Sequence, residues 1–203
     1  MKKILVVLMC TMTLILGACS NTNDFANNDL PITHLSGSYS IDVDDLSQIV
    51  GDADYVFVAK VNSFIETIYK DTVIIETENG TKEVSSPYSK YNIEIIDNIK
   101  GNLKKNTEIE ILKNGGLSQD EESIVLSEND SLFEVGNYHI MAAYAQPDGS
   151  LLVSGPNSSL VLSAESKSEI VSLEEYKNYK KAFEKGFVSD RERFKSSYED
   201  SIY

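Results

Sequence analysis

Between Ile41 and Leu162 the apolar residues follow two different spacings. In "IDVDDLSQIVGDAD", Val43, Leu46, Ile49 and Val50 recur at helical intervals. Asp42, Asp44 and Asp45 stand at the start, where carboxylates favour the positive end of a helix, and Gly51 is placed to stop it. The spacing predicts a short helix over about 43–50. The period then changes. "YVFVAKVNSFIETIY" is dense in β-branched and aromatic residues, as a strand is. "TVIIETENGTKEV" carries Asn79-Gly80 between two strand-like runs, a strong hairpin signal. In "YSKYNIEIIDNIKG", Tyr91, Ile93 and Ile95 alternate with Asn92, Glu94 and Ile96, and in "TEIEILKNGG" Ile109 and Ile111 alternate with Glu108 and Glu110. Residues 114–131 read as a long Gly-, Ser- and acid-rich loop with a short apolar patch at Ile124–Leu126. "NYHIMAAYAQ", "SLLVSG" and "SLVLS" supply three further strands, separated by turns at Pro147-Asp148-Gly149 and Gly155-Pro156-Asn157.

After residue 163 the helical period returns. Ser172-Leu173-Glu174-Glu175 and Ser189-Asp190-Arg191-Glu192 both have the capping-box pattern. The first opens "LEEYKNYKKAFEKG", with an apolar stripe of Leu173, Tyr176, Tyr179, Ala182 and Phe183 and with Gly186 just beyond its end. A second helix is expected over about 190–199. The fold class implied is mainly β, in an α+β arrangement: a short N-terminal helix, a β domain over 41–163 and a C-terminal helical segment over 164–203.

The first twenty residues follow a different logic. Lys2 and Lys3 precede an apolar run from Ile4 to Leu16. The run is shorter than the roughly 20 residues that span a bilayer, and it has the charge and length of a secretory signal. It ends in Leu16-Gly17-Ala18-Cys19, which resembles the bacterial lipobox: an aliphatic residue, two small ones, then cysteine. The resemblance implies that residues 1–18 are removed and that Cys19 takes a diacylglyceryl group, anchoring the chain to the outer face of a membrane. Cys10 would leave with the signal, so no thiol would remain for catalysis or metal binding. Residues 19–40, rich in Asn, Ser and Asp, are expected to form a flexible tether.

Charge narrows the partners. The chain has 18 basic and 32 acidic residues, and losing Lys2 and Lys3 with the signal takes the net charge from −14 to −16. Nucleic acid and anionic lipid are both excluded as expected partners, because phosphate binding needs basic patches and so acidic a body is expected to be repelled from an anionic membrane. Membrane through the lipid, and an extracytoplasmic protein, are the partners expected.

Three stretches in order resemble the netrin-like or TIMP-like module of the OB-fold class, and more closely the bacterial surface proteins that carry a version of it. They are a helix running into Ala53-Asp54 and "YVFVAKV", a strand ending at Lys100-Gly101, and Val135-Gly136-Asn137-Tyr138 leading into the next strand. The match covers roughly 43–162 and implies a small β-barrel with a helix beside it. Inhibitory members of that family present a free N-terminal cysteine to a protease's zinc. Here Cys19 stands far from the module at the end of a tether, so no inhibitory residue carries over.

Candidate chemistry is sparse. His34 lies in the tether and His139 in a strand, without zinc-ligand spacing. No G-x-S-x-G, Ser-x-x-Lys, P-loop or G-x-G-x-x-G occurs, and no motif calls for a cofactor. Acidic residues gather at Asp42, Asp44 and Asp45, at Asp52 and Asp54, and at Asp120, Glu121 and Glu122. Carboxylates of this kind hold Ca²⁺ in some loops, but the Asp-x-Asp-x-Asp-Gly pattern is missing, so no metal site is assigned. OB-type barrels bind through one face and its neighbouring loops. The candidate binding residues are therefore Asn114, Gly115, Gly116, Asp120, Glu121 and Glu122 of the long loop, with Tyr138 and Tyr144. Together with Tyr88 and Tyr91 those two tyrosines form either an aromatic face or part of the core. The expected role is non-catalytic binding at the cell surface. An inhibitor or immunity factor for an exported enzyme or toxin is the alternative, and a hydrolase with scattered carboxylates a third.

Overall fold

The structure is a computed structural model that describes residues 30–78 and 80–200. It is mainly β. The strands are β1 (Ile32–Leu35), β2 (Tyr55–Thr77), β3 (Gly80–Lys100), β4 (Glu108–Asn114), β5 (Gly116–Leu117), β6 (Ile124–Ser127), β7 (Tyr138–Ala145), β8 (Leu151–Val153) and β9 (Ser159–Leu162). Helix α1 (Leu46–Asp52) precedes β2, and α2 (Lys167–Ile170) and α3 (Glu174–Glu184) follow β9. The large mixed sheet runs β2-β3-β4-β8-β7-β9, and β7 also pairs with β2, so the sheet is nearly closed. All its ladders are antiparallel except β4–β8.

The run Tyr55–Val61 is apolar at nearly every position because both of its faces are covered, as in strands buried on two sides. Tyr55, Phe57, Ala59 and Val61 point into the core inside the sheet, with Tyr91, Ile93, Ile95, Ile109, Ile111 and Met141. Val56 and Val58 point the other way, into a second core with Ile140, Ala142, Ile49 and Val50 of α1 and Tyr176, Tyr179 and Ala182 of α3. The alternation read along β3 and β4 is obeyed: Tyr91, Ile93, Ile95, Ile109 and Ile111 are all buried.

Five expectations shift. Helix α1 starts later than 43, with Asp45 as its N-cap; the Ser47 amide donates to the Asp45 carboxylate at 2.8 Å. Gly51 does not stop the helix but lies within it, buried where a Cβ would stand 2.3 Å from the Phe187 carbonyl oxygen. The strand and hairpin read separately merge into the two arms of one long hairpin, with Thr77 opposite Gly80; Asn79 lies outside the described residues. The expected tether is structured from Leu30: Ile32–Leu35 is β1, pairing in parallel with β6, and residues 19–29 lie outside the described residues. The apolar patch at Ile124–Leu126 is why: Ile124 and Leu126 are buried and give β1 something to lie beside, in a small sheet of order β1-β6-β5.

The fifth shift is at the C-terminus. Residues 187–200 form no helix. The Ser189 hydroxyl, expected to cap one, donates instead to the Asp52 carboxylate. Ser172 is not a cap either; its hydroxyl donates to the Glu169 carbonyl at 2.6 Å, and Leu173 is the N-cap residue of α3. The segment runs along the end of the sheet, where Leu103 bridges to Glu199 and the Ser196 amide donates to the Tyr55 hydroxyl at 2.9 Å.

Burial differs sharply between the two ends of the long hairpin. Ile93→Ala should lower stability by about 2–5 kcal/mol, as core truncations do, whereas Ile74→Ser, in a side chain 69% exposed, should change it by less than about 0.5 kcal/mol. Urea denaturation midpoints of the two variants check the contrast.

Candidate functional site

The most densely bonded polar cluster lies where α1 runs into β2. A helix C-terminus leaves carbonyls unsatisfied. Here Lys100, at the end of β3, reaches back so that its Nζ donates to the carbonyls of Val50, Gly51 and Ala53 at 3.0, 2.7 and 2.5 Å. Burial, with the nearby Arg193 charge, pulls the Lys100 ammonium down to about 8. Arg193 donates to the carbonyls of Gly51, Asp52 and Ala53, and Arg191 to that of Asp52. The Asp54 carboxylate accepts from Arg191 at 2.7 Å, from Arg193 at 3.0 Å and from the Ala145 amide at 3.0 Å. The Asp52 carboxylate accepts from the Tyr144 hydroxyl at 2.9 Å and faces Arg191 Nε at 3.3 Å. The Arg191 guanidinium stacks 4.9 Å from the Tyr144 ring centroid. Burial and the Asp52 charge push the Tyr144 phenol well above its ordinary value.

This arrangement fixes structure. Both carboxylates are committed to guanidinium groups, a phenol and an amide, so neither is placed to exchange a proton with a substrate. The other face of Asp52 and Tyr144 opens on a cavity of about 340 Å³, also lined by Tyr39, Ile41, Leu152 and Pro156. Its walls are more apolar than polar, with Asp52, Tyr144, Gln146, Ser40, Ser154 and Ser158 among the polar residues.

The candidate binding residues do not converge. Tyr144 reaches this cavity, which no residue of 114–131 lines. Tyr138, on the same strand, is buried in the outer core with the Lys60 ammonium 5.9 Å from its ring centroid. Tyr91 is in the inner core, edge-on to Phe64, and the Tyr88 hydroxyl donates to Asp71 at 2.6 Å. The four tyrosines therefore make no common face.

The loop residues divide as well. Asn114 ends β4. Gly115 and Gly116 have positive φ and pass so close to Leu126 and Ser89 that a Cβ at either would clash, which is a packing reason for both glycines. Asp120 and Glu121 form a tight turn. The Ser118 hydroxyl donates to Asp120 at 2.6 Å and holds its carboxyl below the usual range, and Glu121 takes positive φ. Glu122 is exposed beside them. Of these residues, Asp120 lines a second groove of about 430 Å³, between β1 and the outer edge of β3 at Lys82–Pro87.

Sequence reading missed one buried pair. Lys113, in β4, is fully buried, and its Nζ donates to Asp130 at 2.5 and 2.7 Å and to the Ser158 hydroxyl at 3.1 Å. Burial pulls the Lys113 ammonium below its ordinary value, against the pull of Asp130. The pair pins the chain after β6 to the large sheet. His139 packs 5.4 Å from Phe133 beside it, with Nδ1 buried and unpaired and the ring held below its ordinary pKa by burial. The only signal in the sequence was a lysine at an inward position of the β4 alternation, two residues after Ile111.

No family model matches the chain, and no curated protein matches it.

Two outcomes follow from these contacts. Asp54→Ala removes the carboxylate shared by Arg191 and Arg193 and the acceptor of the Ala145 amide, and should cost about 1–3 kcal/mol while exposing residues 187–199 to proteases; limited proteolysis read by mass spectrometry locates the cuts. Lys113→Met alone should cost about 3–5 kcal/mol by leaving Asp130 buried and unpaired, whereas Lys113→Met with Asp130→Leu should recover most of that loss. Thermal unfolding of the three chains checks the cycle.

Proposed function

We propose that the chain is an extracytoplasmic lipoprotein, held by an acylated Cys19, whose sheet domain is a non-catalytic binding module at the cell surface. The observation that carries this reading is the lipobox-like Leu16-Gly17-Ala18-Cys19 at the end of a lysine-led apolar segment. A diacylglyceryl group supplies the two chains that stable anchoring takes. The domain itself is read as an OB-type, netrin-like barrel. Support comes from the ladders, which lead from β2 through β3, β4, β8 and β7 back to β2, as a small closed Greek-key sheet requires. The helix packed on the outer face of β2 and β7 is consistent with it. The binding reading draws on the cavity at Tyr144 and the groove at β1, both open and partly apolar, and on carboxylates at Asp52 and Asp54 that are already bonded within the fold.

Growth with labelled fatty acid should label the wild-type protein, and Cys19→Ser should abolish both label and membrane retention. A Cys19→Ser protein that keeps both would end the anchor reading. Crosslinking on intact cells, followed by capture of the anchored protein, should recover a ligand or partner through the sheet domain. Turnover of an envelope polymer by the purified chain would replace binding with hydrolysis.

A further inference from the structure

The outer part of the β2–β3 hairpin is exposed on both faces, with Lys82–Pro87 bordering the groove beside β1. Residues 69–77 and 80–84 are all exposed, although Val73, Ile74, Ile75 and Val84 are among them. A two-stranded ribbon with no covered face is marginal in water, and exposed aliphatic residues gathered on one feature mark an interaction surface.

The register sorts these residues. Val73 pairs with Val84, Ile75 with Lys82, and Lys70 with Ser86. Paired residues share a face, and alternate residues along a strand do so too. The extra residue at the Asp71 irregularity lies in β2, so Lys82, Val84, Ser86 and Tyr88 stay on one face of β3. The Lys70 ammonium, 5.7 Å from the Tyr88 ring centroid, agrees with that assignment. One face therefore carries Val73, Ile75 and Val84 flanked by Lys70 and Lys82; no ladder position on it beyond Asp71 holds a carboxylate, and the acids beside it are Asp71, bonded to the Tyr88 hydroxyl, and Asp120 in the groove shared with Lys82 and Val84. Ile74, Glu76 and Glu83 are on the other. In a chain of net charge −14, an apolar face rimmed by lysines is set apart from the rest of the surface.

The occupant follows from where the chain enters the fold. Thr33 and Leu35 of β1 line one groove with Lys82–Pro87, so the N-terminal segment arrives beside this arm. Ten residues separate Cys19 from Leu30. A stretch of that length can span at most about 40 Å.

We propose that the Val73–Ile75–Val84 face of the hairpin arm, with Lys70 and Lys82, lies on an anionic lipid surface and makes a second, non-covalent contact beside the anchor. This rests on the anchored reading of Cys19. Aliphatic side chains enter the boundary between head groups and acyl chains, lysines reach the anionic head groups, and the acidic body is held outward.

The chain contains no tryptophan, so Ile75→Trp is a unique reporter at an exposed position. The acylated full-length mature protein is reconstituted into vesicles of mixed zwitterionic and anionic lipid. The expected result is a blue-shifted Ile75→Trp emission, quenched by brominated lipid. A Val188→Trp control, at a residue 76% exposed on the C-terminal segment, should keep a water-like emission. Adding Lys70→Glu and Lys82→Glu, or high salt, should return the reporter to water with the anchor intact. Val84→Trp repeats the test from the other strand. A water-like emission on vesicles overturns the proposal. An equal shift on purely zwitterionic vesicles also overturns it, and so does a shift that needs an added exported protein. The mass of the Cys19 peptide reports the anchor separately. If that cysteine is unmodified, the anchor reading fails alone, and coupling its thiol to a maleimide lipid restores the tether length so that the arm is still tested.

Discussion

The run Tyr55–Val61 serves both cores, Tyr55, Phe57, Ala59 and Val61 in one and Val56 and Val58 in the other, and the rest of the fold is arranged around that double burial. Every second side chain enters the space inside the sheet, and the ones between face α1 and α3. A strand used in this way has no wet face, so its backbone groups must all be met by neighbours: β3 on one edge and β7 on the other. The near-closure of the sheet follows from that requirement, because β7 is brought round to serve β2. The helices follow too, since Val56 and Val58 would otherwise be bare.

Polar contacts then hold the ends of this unit. The helix-to-strand turn before Tyr55 exposes a set of carbonyls, and three cations from distant parts of the chain, Lys100, Arg191 and Arg193, meet them. Asp52 and Asp54 balance the two arginines. The C-terminal segment is thus tied down by charge and hydrogen bonding rather than by a helical stripe. The buried Lys113–Asp130 pair does the same for the chain leaving β6.

What the sequence revealed and what it hid divide along this line. Period-two alternation at Tyr91–Ile95 and Ile109–Ile111, the apolar run at Tyr55–Val61 and the helical stripe of α3 are local patterns, and they are visible because burial of a repeating face imposes them. The pairing of β1 with β6, the merging of two strands into one long hairpin, and the extended path of residues 187–200 depend on partners far away in the chain. Ser189 fits a capping box locally, but the Asp52 carboxylate 137 positions earlier takes its hydroxyl instead. The candidate residues failed to converge for a similar reason. Tyr138 and Tyr144 share a strand and a face, yet the first is covered by helix and the second meets a cavity walled by Tyr39 and Ile41. Gly115 and Gly116, read as part of a binding loop, are sites of close packing.

The parallel ladder between β1 and β6 has a mechanical meaning. Four residue pairs join the N-terminal strand to the body. Any pull delivered along the N-terminal segment reaches these pairs before it reaches β2, which is paired on both edges and buried on both faces over Tyr55–Ala59. Under tension β1 would be drawn off first, lengthening the link by several residues while both cores stay intact. The small sheet thus acts as a yielding element in series with the domain, and the domain itself is spared the load.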